Sequence, residues 1–221
     1  MNEIIAWFLE NYIFVIEIIG TLLGFAYMYY EYTAKIALWP TGIVWSLCYL
    51  TIFWLQGFYA WSVTWLYYLF ANIYGLVTWK REAEKQGEYK ITRMRKSWWL
   101  PVIISSVVLT IPLLLFVRKF NPYVTADLNF GAVLIWVSEA VSTSLGIVGM
   151  YLLARKVAEQ WIFWIIVNAL YLIANIYIQD WPIALFYIAY TIFSVLGLVR
   201  WQKEAVRTSS DFADSADDKI L

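Results

Sequence analysis

Long apolar stretches alternate with short polar segments along the chain. A helix needs about 20 apolar residues to cross the hydrocarbon core of a bilayer, and seven stretches reach roughly that length. The pattern therefore predicts an all-α membrane protein with seven transmembrane helices. Residues 1–11 are too short to cross and are expected to form an N-terminal interfacial segment. The predicted spans are 12–32, 36–55, 58–79, 98–117, 129–153, 160–178 and 181–201.

The chain also contains an internal repeat. Residues 17–83 and 139–205 align without a gap at an offset of 122 positions, and 17 of 67 residues are identical. The skewed composition alone would give roughly five identities. Chance similarity of apolar helices is the alternative, but matched glycines and tryptophans favour a duplication. Among the matches, Gly75 aligns with Gly197 and Trp79 with Trp201.

An odd number of helices in each repeat has a topological consequence. A directly repeated three-helix unit would insert upside down, and one additional span between the copies restores its orientation. The sequence thus predicts a 3+1+3 arrangement of two parallel repeats, an architecture found in transporters that bind substrate between the halves. The expected divisions are a first repeat at 12–80, a basic cytoplasmic loop at 81–97, a linking helix with an external loop at 98–128, a second repeat at 129–205 and a disordered acidic tail at 206–221.

Composition and charge support this interpretation. The chain is 62% hydrophobic and 14% charged, whereas a soluble domain is typically about 25% charged. All of the 16 Lys and Arg residues except Arg118 and Lys119 fall on one predicted side of the membrane. By the positive-inside rule, the N-terminus is expected outside and the C-terminus in the cytoplasm. No cleavable signal peptide is predicted.

Polar residues inside predicted spans are candidates for function, because an unpaired amide is costly in lipid. Span six carries a stripe at 3-4-3-4 spacing: Trp161, Trp164, Asn168, Tyr171 and Asn175. Such a stripe can stack a flat ring, bind a cationic ring and hydrogen-bond its substituents. The alternative is helix packing through interhelical amide bonds.

Further candidates lie on other spans. Tyr68 and Asn72 lie on span three, and Trp45 and Gln56 lie on span two. Tyr68 recurs as Tyr190 in the second repeat, whereas Asn72 aligns with Ser194. Repeated residues are expected to build the frame, and unmatched polar residues are expected to contact substrate. Glu17 and Glu139 occupy equivalent positions within spans and are candidates for cation attraction or gating, with an interfacial structural role as the alternative.

Several classes of function are disfavoured. There is no His, the single Cys48 excludes an intramolecular disulfide, and no nucleophile or phosphate-loop motif is present. We therefore expect no enzyme activity, no metal and no cofactor. The expected partners are a small molecule and membrane lipids, not nucleic acid. Passive, selective transport is the simplest mechanism.

The 3+1+3 plan, "NIYGLVTW" on span three and "W-x-x-W-x-x-x-N" on span six resemble the PnuC-type (Pnu) vitamin transporters. The resemblance covers residues 12–205. It implies a fold similar to full-length SWEET transporters and facilitated diffusion with phosphorylation of the substrate by a cytoplasmic vitamin kinase. It also implies that Trp161, Trp164 and Asn168 belong to the substrate pocket.

Substrate identity stays open at the level of sequence. Nicotinamide riboside is the leading expectation, and thiamine is the alternative because both pair a cationic aromatic ring with a hydroxyl-bearing part. A non-transporting binding subunit and a proton-coupled carrier that uses Glu139 are further alternatives. A homo-oligomer in the bacterial inner (plasma) membrane is expected.

Overall fold

The computed structural model describes residues 2–86, 90–120 and 129–217. Within these ranges the structure is built of helices, with one parallel bridge between Thr92 and Val157. A single 3-10 turn, Lys96–Trp98, precedes α4. The helices are α1 (Asn2–Tyr32), α2 (Leu38–Leu55), α3 (Tyr59–Gln86), α4 (Trp99–Phe120), α5 (Phe130–Ala154), α6 (Gln160–Tyr177) and α7 (Trp181–Asp217).

Six segments of the described chain are long and apolar enough to span a membrane. They lie in α1, α2 and α4–α7, and the segment in α1 begins at Asn11. The expected seventh span, α3, is not among them, since it contains four Tyr, three Trp and Asn72. These side chains lower the hydropathy of α3 without shortening the helix. The structure therefore bears out the all-helical class, and six of the seven predicted spans meet this criterion.

Helix ends and turns recur at the offset of the sequence repeat. Helix α2 begins at Leu38 and α6 begins at Gln160, which is 122 positions later. The ends of α1 and α5 and the starts of α3 and α7 keep the same offset. Residues with positive φ also come in pairs at this offset: Ala34 (53°) with Lys156 (51°), and Gly57 (79°) with Gln179 (62°). The duplication therefore extends to the backbone turns between the helices.

Two compact units can be distinguished, Met1–Leu76 and Val77–Leu221. In the first unit α1 packs on α2, and Trp39 of α2 lies against Gly75 of α3. In the second unit α5 packs on α4 and α6, and α6 packs on α7. Its apolar core includes Val148 and Phe163.

The apolar surface of α4 is exposed and agrees with a lipid-facing position. Leu100, Val107 and Leu115 are more than half exposed. Contiguous exposed apolar surface of this kind is rare on soluble monomers and marks an interaction with another apolar phase. We interpret this face of α4 as a membrane-facing surface.

Some boundaries differ from the sequence expectations. Helix α3 continues to Gln86, six residues into the expected loop at 81–97, and α7 continues to Asp217, where a disordered tail is expected after residue 205. Extension of an existing helix avoids the unfavourable nucleation step, so a polar segment can continue it. The backbone at Asn11 is non-helical (φ −119°, ψ 15°) and separates residues 2–10 from the first span. Residues 121–128 of the expected linking helix and external loop at 98–128, and the last four residues of the tail, lie outside the described residues.

Candidate functional site

Most of the predicted stripe on α6 faces α7. Trp161 is fully buried, and its ring meets that of Trp201 edge-on with centroids 5.8 Å apart. Asn168 is 3% exposed and donates from Nδ2 to Ser194 Oγ at 3.1 Å. Tyr171 stacks on Tyr187 at 5.1 Å and 21°. Three of the five predicted residues therefore contact α7.

The other two residues of the stripe have different surroundings. Trp164 is 9% exposed and lies beside Gly149 of α5, because a Cβ built on that glycine would meet the indole at 3.6 Å. Asn175 is half-buried and donates to the carbonyl of Tyr171 one turn earlier at 2.8 Å. The residues of the stripe thus contact two neighbouring helices, α5 and α7, and Asn175 bonds to the backbone of α6 itself.

Three contacts between α2 and α3 in the first unit correspond to contacts between α6 and α7 in the second. Trp39 packs on Gly75 as Trp161 packs on Gly197. Tyr49 stacks on Trp65 at 4.7 Å and 15°, in the positions of Tyr171 and Tyr187. Asn72 donates to Ser46 Oγ at 3.3 Å. These contacts form a packing scaffold common to both repeats.

The amide and the hydroxyl have exchanged helices between the repeats. In the first unit the Asn is on α3 and the Ser on α2, whereas Asn168 is on α6 and Ser194 on α7. Asn72 was expected to be an unmatched residue, but in three dimensions it has a structural counterpart. The packing alternative explains the amide nitrogens of both Asn residues. It does not explain Asn72 Oδ1, which is buried without a hydrogen-bond partner in the described part of the chain.

A similar exchange of size occurs at the contact between the first two helices of each repeat. Tyr27 of α1 lies over Gly42 of α2, because a Cβ on the glycine would meet Tyr27 Cε2 at 2.6 Å. At the equivalent positions Gly149 of α5 faces Trp164 of α6. The pair keeps one large and one small residue, so close packing is preserved. At this position the second helix of the repeat therefore carries a glycine in the first repeat (Gly42) and an indole in the second repeat (Trp164).

Several buried polar atoms have no hydrogen-bond partner among the described residues. They include Nε1 of Trp45, Trp161 and Trp164, and Oδ1 of Asn72. A buried donor or acceptor left unpaired costs about 1–3 kcal/mol. Such atoms are suited to bind a polar ligand, because a matching partner would recover that free energy.

Aromatic rings fill the interior of the first unit. Trp45 lies 5.3 Å from Tyr27 and 5.2 Å from Trp65, measured between ring centroids. Half-buried Tyr68 continues the series at 5.6 Å from Trp65. The second repeat has Gly149 and Val167 at the positions of Tyr27 and Trp45. The ring cluster is therefore a property of the first repeat, and sequence reasoning selected only Trp45 and Tyr68 from it.

The remaining predicted residues are dispersed. Gln56 is exposed at the C-cap of α2. Glu17 is half-buried on α1, and Glu139 is 6% exposed on α5. Sequence reasoning missed Glu31, which is fully buried in the last turn of α1. Its position near a helix end resembled an interfacial charge, and only the structure reveals its burial.

Sequence reasoning also missed a buried carboxylate that anchors the basic loop. Glu159 is 3% exposed and accepts from Arg93 Nε at 2.5 Å and from the backbone N–H of Met94 at 2.7 Å. Thr92 exchanges two backbone hydrogen bonds with the turn between α5 and α6. The loop at 90–95 is therefore fixed to that turn.

The end of α3 is attached to the same turn. Trp79 donates from Nε1 to the carbonyl of Ala154 at 3.1 Å, and Lys156 Nζ lies 4.3 Å from the indole centroid. Lys156 is buried and has a left-handed backbone conformation. The recurring Trp79 thus anchors a helix end through hydrogen bonding and a cation–π contact.

Comparisons with known proteins agree with this fold. The family model described as nicotinamide mononucleotide transporter matches residues 14–203. The nicotinamide riboside transporter PnuC of Escherichia coli (strain K12) is 24% identical over 207 residues, with 86% of each chain covered, and the PnuC of Shigella flexneri gives the same values. A crystal structure of the vitamin B3 transporter PnuC superposes with a TM-score of 0.67 at 21% identity, covering 91% of this chain and 86% of that chain. The chain belongs to the nicotinamide mononucleotide transporter family, and it is a PnuC-type multi-pass membrane transporter.

Proposed function

We propose that this protein takes up nicotinamide riboside by facilitated diffusion. The proposal is supported by the family match over residues 14–203 and by relatives named as nicotinamide riboside transporters. Phosphorylation of the substrate by a cytoplasmic kinase would retain it inside the cell. This mechanism needs neither ATP hydrolysis nor an ion gradient at the transporter itself.

The chemistry of nicotinamide riboside matches the residues that the fold leaves unsatisfied. Its pyridinium ring is flat and cationic, its carboxamide has donors and an acceptor, and its ribose carries hydroxyls. Aromatic faces attract a cationic ring, and the first unit is rich in such faces around Trp45 and Tyr68. The acceptor Asn72 Oδ1 suits a substrate N–H or O–H group.

On α6 we assign the substrate contacts principally to Trp164. Its Nε1 is a buried donor without a partner among the described residues, and it suits a ribose or carboxamide oxygen. Trp161, Asn168 and Tyr171 keep a place in the proposed site, but their contacts with α7 make them scaffold residues as well. Asn175 and Gln56 are proposed as peripheral contacts, because the structure leaves them partly or fully accessible.

Glu17 and Glu139 are proposed to attract the cationic substrate. A carboxylate within a membrane span favours a cation because it lowers the barrier to entry of positive charge. Glu139 is the stronger candidate since it is 6% exposed on α5. A Glu139→Gln variant is expected to weaken binding of a cation but to leave binding of a neutral analogue unchanged.

The proposed setting is a bacterial inner membrane, with two parallel three-helix repeats in a 3+1+3, SWEET-like arrangement. The distribution of Lys and Arg supports an external N-terminus and a cytoplasmic C-terminus. Homo-oligomer formation is part of the proposal, and crosslinking of the purified protein tests it.

Calorimetric titration of the detergent-purified protein tests the binding step. Trp164→Phe and Trp45→Phe keep an aromatic ring but remove the N–H donor. Each is expected to weaken nicotinamide riboside binding about 3- to 10-fold, as the loss of one hydrogen bond implies. Trp54→Phe is the matched control because Trp54 is 61% exposed. Equal affinities for all three variants would contradict the assigned contacts.

The same titration separates the alternatives. Thiamine also carries a cationic aromatic ring and is the second candidate substrate. Tighter binding of thiamine than of nicotinamide riboside would favour the thiamine branch of the family. Binding of either compound without flux into liposomes would instead favour a non-transporting binding subunit.

A further inference from the structure

A cleft lies beside residues 199–206 of α7, apart from the residues assigned to substrate. It is lined by Arg93 of the anchored loop and by one face of α7: Val199, Gln202, Lys203 and Val206. These four positions follow i, i+3, i+4 and i+7 spacing, so they form one helical stripe. The cleft combines two cations, an amide and two apolar side chains.

The stripe faces outward because the opposite side of α7 is packed. Trp201 is fully buried and Ala205 is 3% exposed, whereas Val199 and Val206 are 46% and 60% exposed. The apolar span of α7 extends to Arg207. The cleft is therefore located where an apolar helix surface gives way to polar residues, which is the composition expected at a membrane–water boundary.

Both cations are available to an anion. Glu159 engages only Nε of Arg93, which leaves the two terminal nitrogens of the guanidinium to act as donors. The side chain of Arg93 is 49% exposed, and that of Glu159 is 3% exposed. Lys203 is exposed and has no ion-pair partner in the described ranges of the chain. Arg93 is thus pre-oriented, and Lys203 adds a second charge.

The first repeat lacks an equivalent site. The positions that correspond to Val199, Gln202, Lys203 and Val206 are Val77, Lys80, Arg81 and Glu84. An acidic residue takes the place of the second valine, and the loop cation has no aligned counterpart. The combination of two cations with two valines therefore occurs beside α7 and not at the equivalent segment of α3.

We propose that this cleft binds the phosphate diester of an anionic phospholipid. Arg93 and Lys203 contact the phosphate oxygens, Gln202 donates to the headgroup, and the two valines contact the first part of the acyl chains. Basic pockets beside transmembrane helices recognise anionic headgroups in this way. The apolar walls favour a lipid over free phosphate, because an inorganic anion has no apolar groups to contact the two valines.

Native mass spectrometry of the purified full-length protein tests this proposal. The probes are phosphatidylglycerol, zwitterionic phosphatidylcholine and inorganic phosphate, each added to delipidated protein in detergent. We expect retention of phosphatidylglycerol in preference to phosphatidylcholine. Lys203→Gln is expected to weaken phosphatidylglycerol binding about fivefold, which is typical for loss of one cation near an anionic surface.

Arg81→Gln is the matched control, since it removes an exposed cation from the equivalent position of the first repeat. It is expected to leave lipid retention unchanged. Equal retention of both lipids, or an equal loss of binding in the two variants, would overturn the site. Displacement of the lipid by low-millimolar inorganic phosphate would overturn the lipid assignment in favour of a small anion. Lys203→Gln is a surface change, and an unchanged melting temperature verifies its folding.

Discussion

Replacement of Gly197 by alanine probes the packing scaffold most sharply. A Cβ at this position would lie 2.5 Å from Cε2 of Trp161 and 2.6 Å from Cζ2. Trp161 is fully buried and contacts Trp201, so its ring has little room to move. The additional methyl group must therefore push α6 and α7 apart or force the indole from its rotamer.

The size of the effect follows from two opposing contributions. Overpacking of a well-packed interior costs typically about 1–3 kcal/mol. Replacement of a helical glycine by alanine returns roughly 0.5–1 kcal/mol of backbone preference. We therefore expect Gly197→Ala to lower the free energy of unfolding by about 1 kcal/mol, and by at most roughly 2.5 kcal/mol.

Gly149 of α5 provides the matched control. Its added Cβ would meet Phe163 and Trp164 at 3.5–3.6 Å, which is ordinary van der Waals contact. Gly149→Ala is expected to be neutral or stabilising by up to about 1 kcal/mol. Equilibrium unfolding in mixed detergent micelles measures both variants. Equal stability of the two alanine variants would refute the packing argument.

Three further outcomes follow from other contacts. The double-mutant cycle of Asn168→Ala with Ser194→Ala is expected to give a coupling of about 0.6 kcal/mol in detergent unfolding, and a value well above about 1.7 kcal/mol would contradict a simple interhelical hydrogen bond. Glu159→Ala is expected to release the anchored loop, so trypsin should cleave after Arg93 faster than in the parent protein; an unchanged rate would contradict the anchor. Gly57→Ala is expected to lower the free energy of unfolding by roughly 1 kcal/mol, because the φ of Gly57 is +79°. Nothing lies within 4 Å of the added Cβ, so the loss would come from the backbone alone. A fluorescence-monitored unfolding curve that matches the parent would argue against backbone strain there.

Much of the fold could be predicted because membrane spans have a strong sequence signal. Length and hydropathy identify helices when the backbone must satisfy its own hydrogen bonds in lipid. The duplication added information, since identical residues such as Trp79 and Trp201 fixed the offset that the turns later follow. Helix ends were harder to predict, because a polar helix can continue beyond the membrane, as α3 does to Gln86.

The details of the site were harder to predict, for a physical reason. A stripe of aromatic and amide residues has the same spacing whether it faces a ligand or another helix. Only the positions of Ser194 and Tyr187 reveal that Asn168 and Tyr171 pack on α7. The exchange of Asn and Ser between repeats also escaped alignment, because a pairwise contact is invisible to position-by-position comparison.

The burial of the Glu159 carboxylate could not be predicted from the sequence either. Glu159 lies outside the predicted spans, so sequence hydropathy gave it no weight. Its ion-pair partner is Arg93, which is 66 residues away in the chain. Long-range ion pairs of this kind need the folded structure before they can be recognised.

Uptake of radiolabelled nicotinamide riboside into proteoliposomes measures the proposed transport itself. With no ATP and no ion gradient, we expect saturable uptake that stops when internal and external concentrations are equal. An enclosed riboside kinase with ATP should then raise the total internal label above that level. Uptake no faster than in protein-free liposomes would contradict the proposed function. Transport of thiamine but not of nicotinamide riboside would also contradict it.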